Sequence, residues 1–442
     1  MESIKKEHLN ELLKEVEKDR TLTVARHALS KTDIYSVAYS QDNAKEMDFN
    51  FSINIKTLPA ANQKASGRCW IFAATNVLRE IIAKELNLDD FELSQSYLAF
   101  YDKLEKLNYA LEIIIKLLDE DYDDRTLQFI LHSGIGDGGQ WDMFVNIVKK
   151  YGLCPKNVYP ETYTSSNTRY INSLINAEMR AFAPRARDAF NEGGIKQVRK
   201  EKEELMDKFY KALVSCYGLP PETFSFEYTD KDKNYHKEDD FTPLSFFEKY
   251  IGTQLDDYVS IINAPTRDKP FMRAYNVKYL GNVVGGKPVT HLNLPIERMK
   301  ELIIAQLEDN QIVWFGSDVG TYRDTERASW DDTYFDFKSL FGLDYFAEKG
   351  ESLDFAISQM THAMCITGVN LVNDKPTKWK IENSWGSNGP NAGYYIISDS
   401  WFNRYTYQAV VNKKYLTKDE LEAYNSKAIE LKPWDPMGSL AD

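Results

Sequence analysis

The hydrophobic and polar positions of the chain fall into two textures. In residues 69–86, "CWIFAATNVLREIIAKEL", the apolar positions Trp70, Ala73, Val77 and Ile81 recur at three- and four-residue steps. That spacing lines one face of an α-helix and predicts a helix beginning at Cys69. Residues 94–118 and 125–133 predict two more helices, separated by the acidic run "DEDYDD" at 119–124, which reads as a solvated loop. A long, highly charged helical pattern covers 177–217, with breaks expected near Pro184 and Gly193-Gly194 and a stop at "GLPP", 218–221. Residues 224–240 read as a strand and a polar hairpin turn, after which Thr242-Pro243 supplies an N-cap and a first-position proline for a short helix. In the last third the texture changes. "QIVWFGSDV", "THAMCITGVNL", "TKWKIENSWG" and "GYYIISD" alternate or run apolar between turn residues, as sheet strands do. Helices first and sheet last predict an α+β protein of two lobes with a helical insert.

Composition narrows the class. The chain has 442 residues, 43% of them hydrophobic, enough for two or three compact units or one enlarged one. A net charge of -13 argues against a nucleic-acid partner, whose phosphates need a basic face. The first residues, "MESIKKEHLNELLKEVEKDR", are charged and amphipathic and lack the apolar core of a secretory signal. No stretch is apolar for long enough to predict a membrane-spanning helix, so no membrane partner is expected. Four cysteines, at 69, 154, 216 and 365, are too few and too scattered for a disulfide framework. Together these features predict a soluble, cytoplasmic protein.

Candidate chemistry begins at "NQKASGRCWIF", residues 62–72, where a small, polar loop runs into the predicted helix. A thiol at a helix N-terminus meets unpaired N–H groups and the positive end of the dipole, which favour a thiolate. A cysteine is also a small buried hydrophobe, and taken alone Cys69 fits both descriptions. Cys154, Cys216 and Cys365 read as structural. Of the six histidines, His8 and His27 lie in the N-terminal arm, His132 ends a helix, His236 sits in the hairpin and His291 at a loop edge. His362 opens a strand, and Asn383 ends another. A strand-end amide is placed to hold a neighbouring imidazole, with Trp385 covering that hydrogen bond. "GIGDGG" at 134–139 satisfies the dinucleotide pattern G-x-G-x-x-G, but it follows a helical run rather than a strand and reads as a helix stop. No H-e-x-x-H zinc motif is present.

Gln63, Cys69-Trp70, His362 and "NSWG" at 383–386 resemble the papain superfamily of cysteine peptidases. "SGRCWIF", "LSQSYLAFYDKLEKLNY", "GDGGQWDMF", "NVKYLGNVVGG", "VWFGSDVG", "THAM", "ENSWG" and "PWDPMGSLAD" resemble its bleomycin hydrolase/aminopeptidase C branch over nearly the whole chain. The resemblance implies a papain-like two-lobed fold, a helical lobe plus a β-barrel-like lobe, with a large helical and hook insertion. Residues 1–150 would form the N-terminal arm and helical lobe, 151–260 the inserted oligomerisation region, and 261–442 the β-rich lobe with a C-terminal arm in the active site. It also implies a cytosolic cysteine aminopeptidase that cleaves peptides with a free N-terminus through an acyl-enzyme, assembled as a homohexamer, with no cofactor.

The implied roles follow residue by residue. Cys69 is the nucleophile, His362 its proton partner and Asn383 the orienter of the imidazole. Gln63 and the Cys69 N–H bind the oxyanion. Gly138-Gly139 forms a wall of the substrate cleft, and Trp385 borders it. The tail "PWDPMGSLAD" reads by itself as a frayed terminus. The resemblance instead puts it in the cleft, its carboxylate pairing with the substrate ammonium, at Asp442 or, if the last residue is trimmed, at Ala441. Two departures matter. Ser66 stands where secreted relatives carry a disulfide cysteine, and the histidine lies far beyond the roughly 130–150 residues that separate it from the nucleophile in the compact type. A broader amide hydrolase or thioesterase on the same scaffold, and an inactive assembly-forming binding protein, are the alternatives.

Overall fold

The computed structural model describes residues 1–343 and 347–441. The helices expected from the spacing form at Cys69–Glu85, Gln95–Lys116 and Arg125–Ser133. Cys69–Glu85 buries residues all round, because it packs against Gln95–Lys116 and Trp141–Tyr151 on the helical side and against sheet strands on the other. The sheet has twelve strands among the described residues. A central strand, His362–Val372, runs antiparallel to Val313–Ser317 and to Lys375–Glu382. Residues 362–369 are all buried, so this strand reads as a nearly continuous apolar run rather than an alternation. One apolar core runs through both lobes.

The insert departs from expectation at one point. Arg169–Tyr217 runs through Pro184 and kinks only at Gly194, whose φ of 64° and ψ of -163° leave the helical region. Pro184 is exposed, so water can reach the carbonyl that its missing N–H leaves unpaired. The hairpin Phe224–Thr229/Tyr235–Phe241 and the helix Pro243–Tyr250, with a capping box on Thr242, form as expected. Lys6–Val16 buries none of its residues. Among the described residues no helix is long and apolar enough to cross a membrane.

Three element ends create the site. The N-terminus of Cys69–Glu85 abuts the first residues of His362–Val372, where Trp314 Nε1 on the adjacent strand donates to the Trp70 carbonyl at 3.2 Å. The end of Lys375–Glu382 delivers Asn383 to the same seam. Glu382, just before it, is tied to the helix by Arg79 Nη2 at 2.7 Å and Asn76 Nδ2 at 2.8 Å.

Candidate active site

Cys69 is the first residue of its helix, and Arg68 before it provides no side-chain cap. The Ile71 N–H reaches the Arg68 carbonyl at 3.0 Å, whereas the N–H groups of Cys69 and Trp70 point out of the helix end without an intrahelical acceptor. The approach loop is closed by its own side chains. Ser66 Oγ donates to the Gln63 carbonyl at 2.6 Å, Arg68 Nε donates to Ser66 Oγ at 2.9 Å, and the Arg68 guanidinium forks onto Glu161 at 3.1 and 3.0 Å. Ser66 thus closes by hydrogen bonding the loop that a disulfide cysteine would otherwise cross-link.

His362 and Asn383 meet as expected, with Nε2 and Oδ1 2.9 Å apart. Asn383 Oδ1 also accepts the Ser384 N–H at 2.8 Å, so that atom is the amide oxygen. Nε2 therefore carries the proton of the neutral ring, and Nδ1 keeps an open lone pair. Trp385 covers the imidazole, ring centroids 5.1 Å apart, and Arg323 lies over the other ring system at 5.0 Å from the Trp385 centroid. The Ala363 N–H, next to His362 in sequence, donates to Cys69 Sγ at 3.5 Å.

Gln63 joins this group through Ser384. Its N–H donates to the Ser384 carbonyl at 2.8 Å, and Ser384 Oγ donates to Gln63 Oε1 at 2.5 Å. Gln63 Nε2 donates one hydrogen to the Ser66 carbonyl at 2.6 Å, and its second hydrogen is left for a ligand. Four sequence candidates, Gln63, Cys69, His362 and Asn383, are thereby brought to one seam.

Burial works against the thiolate that the helix terminus favours. Burial pushes the Cys69 thiol up to about 11, with the Ala363 and Trp70 N–H groups opposing and the Asp137 carboxylate adding to the rise. Burial likewise pushes His362 down to about 4 against the Asn383 hydrogen bond. Desolvation favours the neutral form of each group taken alone. Only a proton transfer within the pair, which leaves its net charge at zero, makes both ions together.

The glycine wall meets the chain's own tail. The Gly139 N–H donates to the Leu440 carbonyl at 2.9 Å, so the chain's own tail takes the edge expected for substrate. Glycine is required at 139 by the nucleophile's neighbour as well, since a Cβ there would lie 2.5 Å from the Trp70 ring. The Gly138 carbonyl accepts from Lys106 Nζ. The tail is not frayed: Met437 and Leu440 are buried, and Gln140 Nε2 holds the Met437 carbonyl at 3.2 Å. Ala441 is half-buried at the end of this docked turn. Asp442 lies outside the described residues.

Sequence reasoning missed Ser384 and Asp137. Asp137 Oδ2 accepts the Gly67 N–H at 2.9 Å and the Thr168 hydroxyl, Oδ1 takes Lys103 Nζ at 2.6 Å, and the Asp137 carbonyl takes Trp70 Nε1 at 2.6 Å. Burial would raise this carboxyl, but the Lys103 charge and these hydrogen bonds hold it well below the usual carboxylate range. The residue sits inside "GIGDGG", whose Gly134 does stop a helix with φ of 69°. The signal was therefore a lone acid in a glycine loop beside the nucleophile's own helix. For Ser384 it was the motif "NSWG" itself. Among the described residues no group of three or more His, Cys, Asp or Glu is placed to hold a metal ion.

A sequence model of the Peptidase C1-like family matches residues 3–438. The chain belongs to this peptidase C1-like family. Aminopeptidase C of Lactobacillus delbrueckii subsp. lactis is 47% identical over 422 residues, covering 95% of this chain and 94% of that protein. Human bleomycin hydrolase is 36% identical over 442 residues, covering 98% and 97%. The crystal structure of PepW from Lactobacillus rhamnosis HN001 superposes with a TM-score of 0.96 at 43% identity, covering 99% of each chain. The papain-like α+β fold expected for a C1-like peptidase is the fold observed.

Proposed function

We propose that the chain is a cysteine aminopeptidase that releases N-terminal residues from short peptides, with Cys69 as nucleophile. The family and its relatives named aminopeptidase C support the activity. The observation that carries the exopeptidase reading is the tail in the cleft, with the Leu440 carbonyl on the Gly139 N–H. A cleft filled from one side leaves room for a short stretch of substrate, and the C-terminal carboxylate, that of Asp442 or, if the last residue is trimmed, that of Ala441, would pair with the substrate ammonium.

His362 Nδ1 accepts the Cys69 proton as Sγ attacks the scissile carbonyl. Asn383 Oδ1 holds Nε2–H through this transfer, which fixes the ring and stabilises the imidazolium. Gln63 Nε2 and the Cys69 N–H receive the oxyanion. The imidazolium then gives its proton to the leaving amine, and water hydrolyses the acyl-enzyme in the reverse order of proton transfers. Trp385 keeps water from the His362–Asn383 bond. No step calls on a metal or organic cofactor.

Four free cysteines favour a reducing cytosol. Assembly as a homohexamer, with residues 151–260 as the oligomerisation region, is supported by apolar side chains left facing solvent. These include Tyr170 and Leu174 on Arg169–Tyr217. Light scattering of the purified protein tests it, and a monomer at micromolar concentration would refute it.

Turnover of free-amine against N-acetylated amino-acid amides tests the activity. Free-amine substrates should be cleaved, acetylated ones spared, and Cys69→Ala should abolish turnover in folded protein. Equal turnover of both substrate classes would reject the exopeptidase reading.

A further inference from the structure

Leu440 meets Gly139 because the chain leading to it is fixed at a few discrete points. Ile429–Leu431 pairs in parallel with Arg273–Val277 at the sheet edge. Trp434 packs under the Arg125 guanidinium, 3.8 Å from its carbon to the ring centroid, and against Phe129 at 6.1 Å. Asp435 then meets Lys269 Nζ at 2.9 Å, and their side chains are only 8% and 2% exposed. The same carboxylate accepts the Met437 N–H at 2.9 Å, and the Asp435 carbonyl accepts the Gly438 N–H at 2.9 Å. Asp435 thus starts the tight turn Pro436–Ala441 that enters the cleft.

The other side of this pair is rigid. The Lys269 carbonyl is held by Asn293 Nδ2 at 2.7 Å, and Asn293 lies on the strand His291–Asn293. The other carboxylate near Lys269, Asp268, is 62% exposed, so water competes for it and Asp435 is the buried counter-ion. Beyond the ion pair, the tail is held by the buried Met437 and Leu440 side chains and by Ser439 Oγ donating to the Met360 carbonyl at 2.9 Å. A pocket of about 160 Å³, lined by Tyr109, Phe129, Ile130, Trp434 and Ala441, opens beside it.

We infer that the buried Lys269–Asp435 ion pair is a register lock that sets how far the tail reaches into the cleft. This makes Lys269 and Asp435 positioning residues for the preference for free amines, an inference that rests on the tail being the gate. A buried pair is sensitive to the loss of either partner, because the remaining charge loses its buried counter-ion, and the exposed Asp268 replaces it only in part. Removing one charge therefore drives the turn away from Lys269 and withdraws Leu440 from Gly139.

Full-length Asp435→Asn and Lys269→Met are compared with wild type and with a deletion of residues 439–442. The first readout is the rate at which a carboxypeptidase shaves the C-terminus, followed by mass spectrometry. The second is the ratio of kcat/KM for free-amine and N-acetylated amino-acid amides. Both point variants should be shaved, and should cleave acetylated substrate relative to free-amine substrate, about tenfold faster than wild type, as for about 1.4 kcal/mol of lost docking. Lys269→Arg should retain the wild-type ratio. Wild-type shaving in both folded point variants overturns the lock, as does relaxed preference in the deletion with none in the point variants. If the deletion leaves the preference unchanged, the gate reading fails and shaving alone decides the lock. If a point variant does not fold, Asp435→Glu, which keeps the charge and lengthens the side chain, should move both readouts in the same direction. Wild-type values there overturn the lock.

Discussion

Ser384→Ala tests whether the oxyanion donor is held from behind. Ser384 Oγ donates to Gln63 Oε1 at 2.5 Å, in a contact where the two residues are 3% and 7% exposed. Losing a hydrogen bond of this kind costs a net ~0.5–1.5 kcal/mol. Gln63 keeps two other restraints, Nε2 on the Ser66 carbonyl and its N–H on the Ser384 carbonyl, so the amide loosens without leaving. The expected loss is about fivefold in kcat, corresponding to about 1 kcal/mol, with KM unchanged, since the amide acts on the developing oxyanion rather than on bound substrate. Gln63→Ala removes the donor itself and should cost about 10²–10³ in kcat. The decisive measurement is the double variant. If Ser384 acts only through Gln63, its substitution costs nothing further once Gln63 is alanine. Steady-state kinetics of the four proteins on one free-amine substrate give the cycle. Additive losses, or a Ser384→Ala effect confined to KM, would refute the reasoning.

Asn383→Ala should weaken kcat less than His362→Ala, because the asparagine orients the ring and the histidine carries the proton. The reverse order in folded proteins would contradict both roles. Gly139→Ala should lower stability by about 1–3 kcal/mol, because its Cβ would sit 2.5 Å from the Trp70 ring, and an unchanged melting temperature would exclude that clash. His291 is fully buried with Nδ1 2.8 Å from Ser260 Oγ, and burial, with the Lys287 charge adding, pushes it down from 6.5 to about 4. The unfolded chain therefore binds a proton there at a pH where the folded chain does not. The contribution is intact above about pH 6.5 and is lost as pH falls toward about 4. Urea titrations at pH 7 and 5 should show about 2 kcal/mol more loss for wild type than for His291→Gln, and equal losses would rule His291 out.

Much of the catalytic geometry was legible because it rests on local pattern. Apolar steps of three and four residues place Cys69 at a helix start, and uninterrupted apolar runs place His362 and Asn383 at strand ends, whatever lies around them. The helical periodicity of 177–217 was likewise readable, but not the outcome at Pro184. Only the packed structure decides that its side faces water, where an unpaired carbonyl is tolerable. Ionisation was not legible either, since the helix terminus at Cys69 is a local feature whereas the desolvation that works against it depends on every segment closing over the sulfur. The same holds for Gly139, required by Trp70 across the seam, and for Asp137, whose neighbours Gly67, Lys103 and Thr168 come from three separate segments. The tail is the extreme case. Its proline- and glycine-rich sequence carries no periodicity, so by itself it determined only that no helix or strand continues. Its place in the cleft was decided by partners far away in the chain, Lys269, Arg125 and Gly139, which only the folded protein brings together.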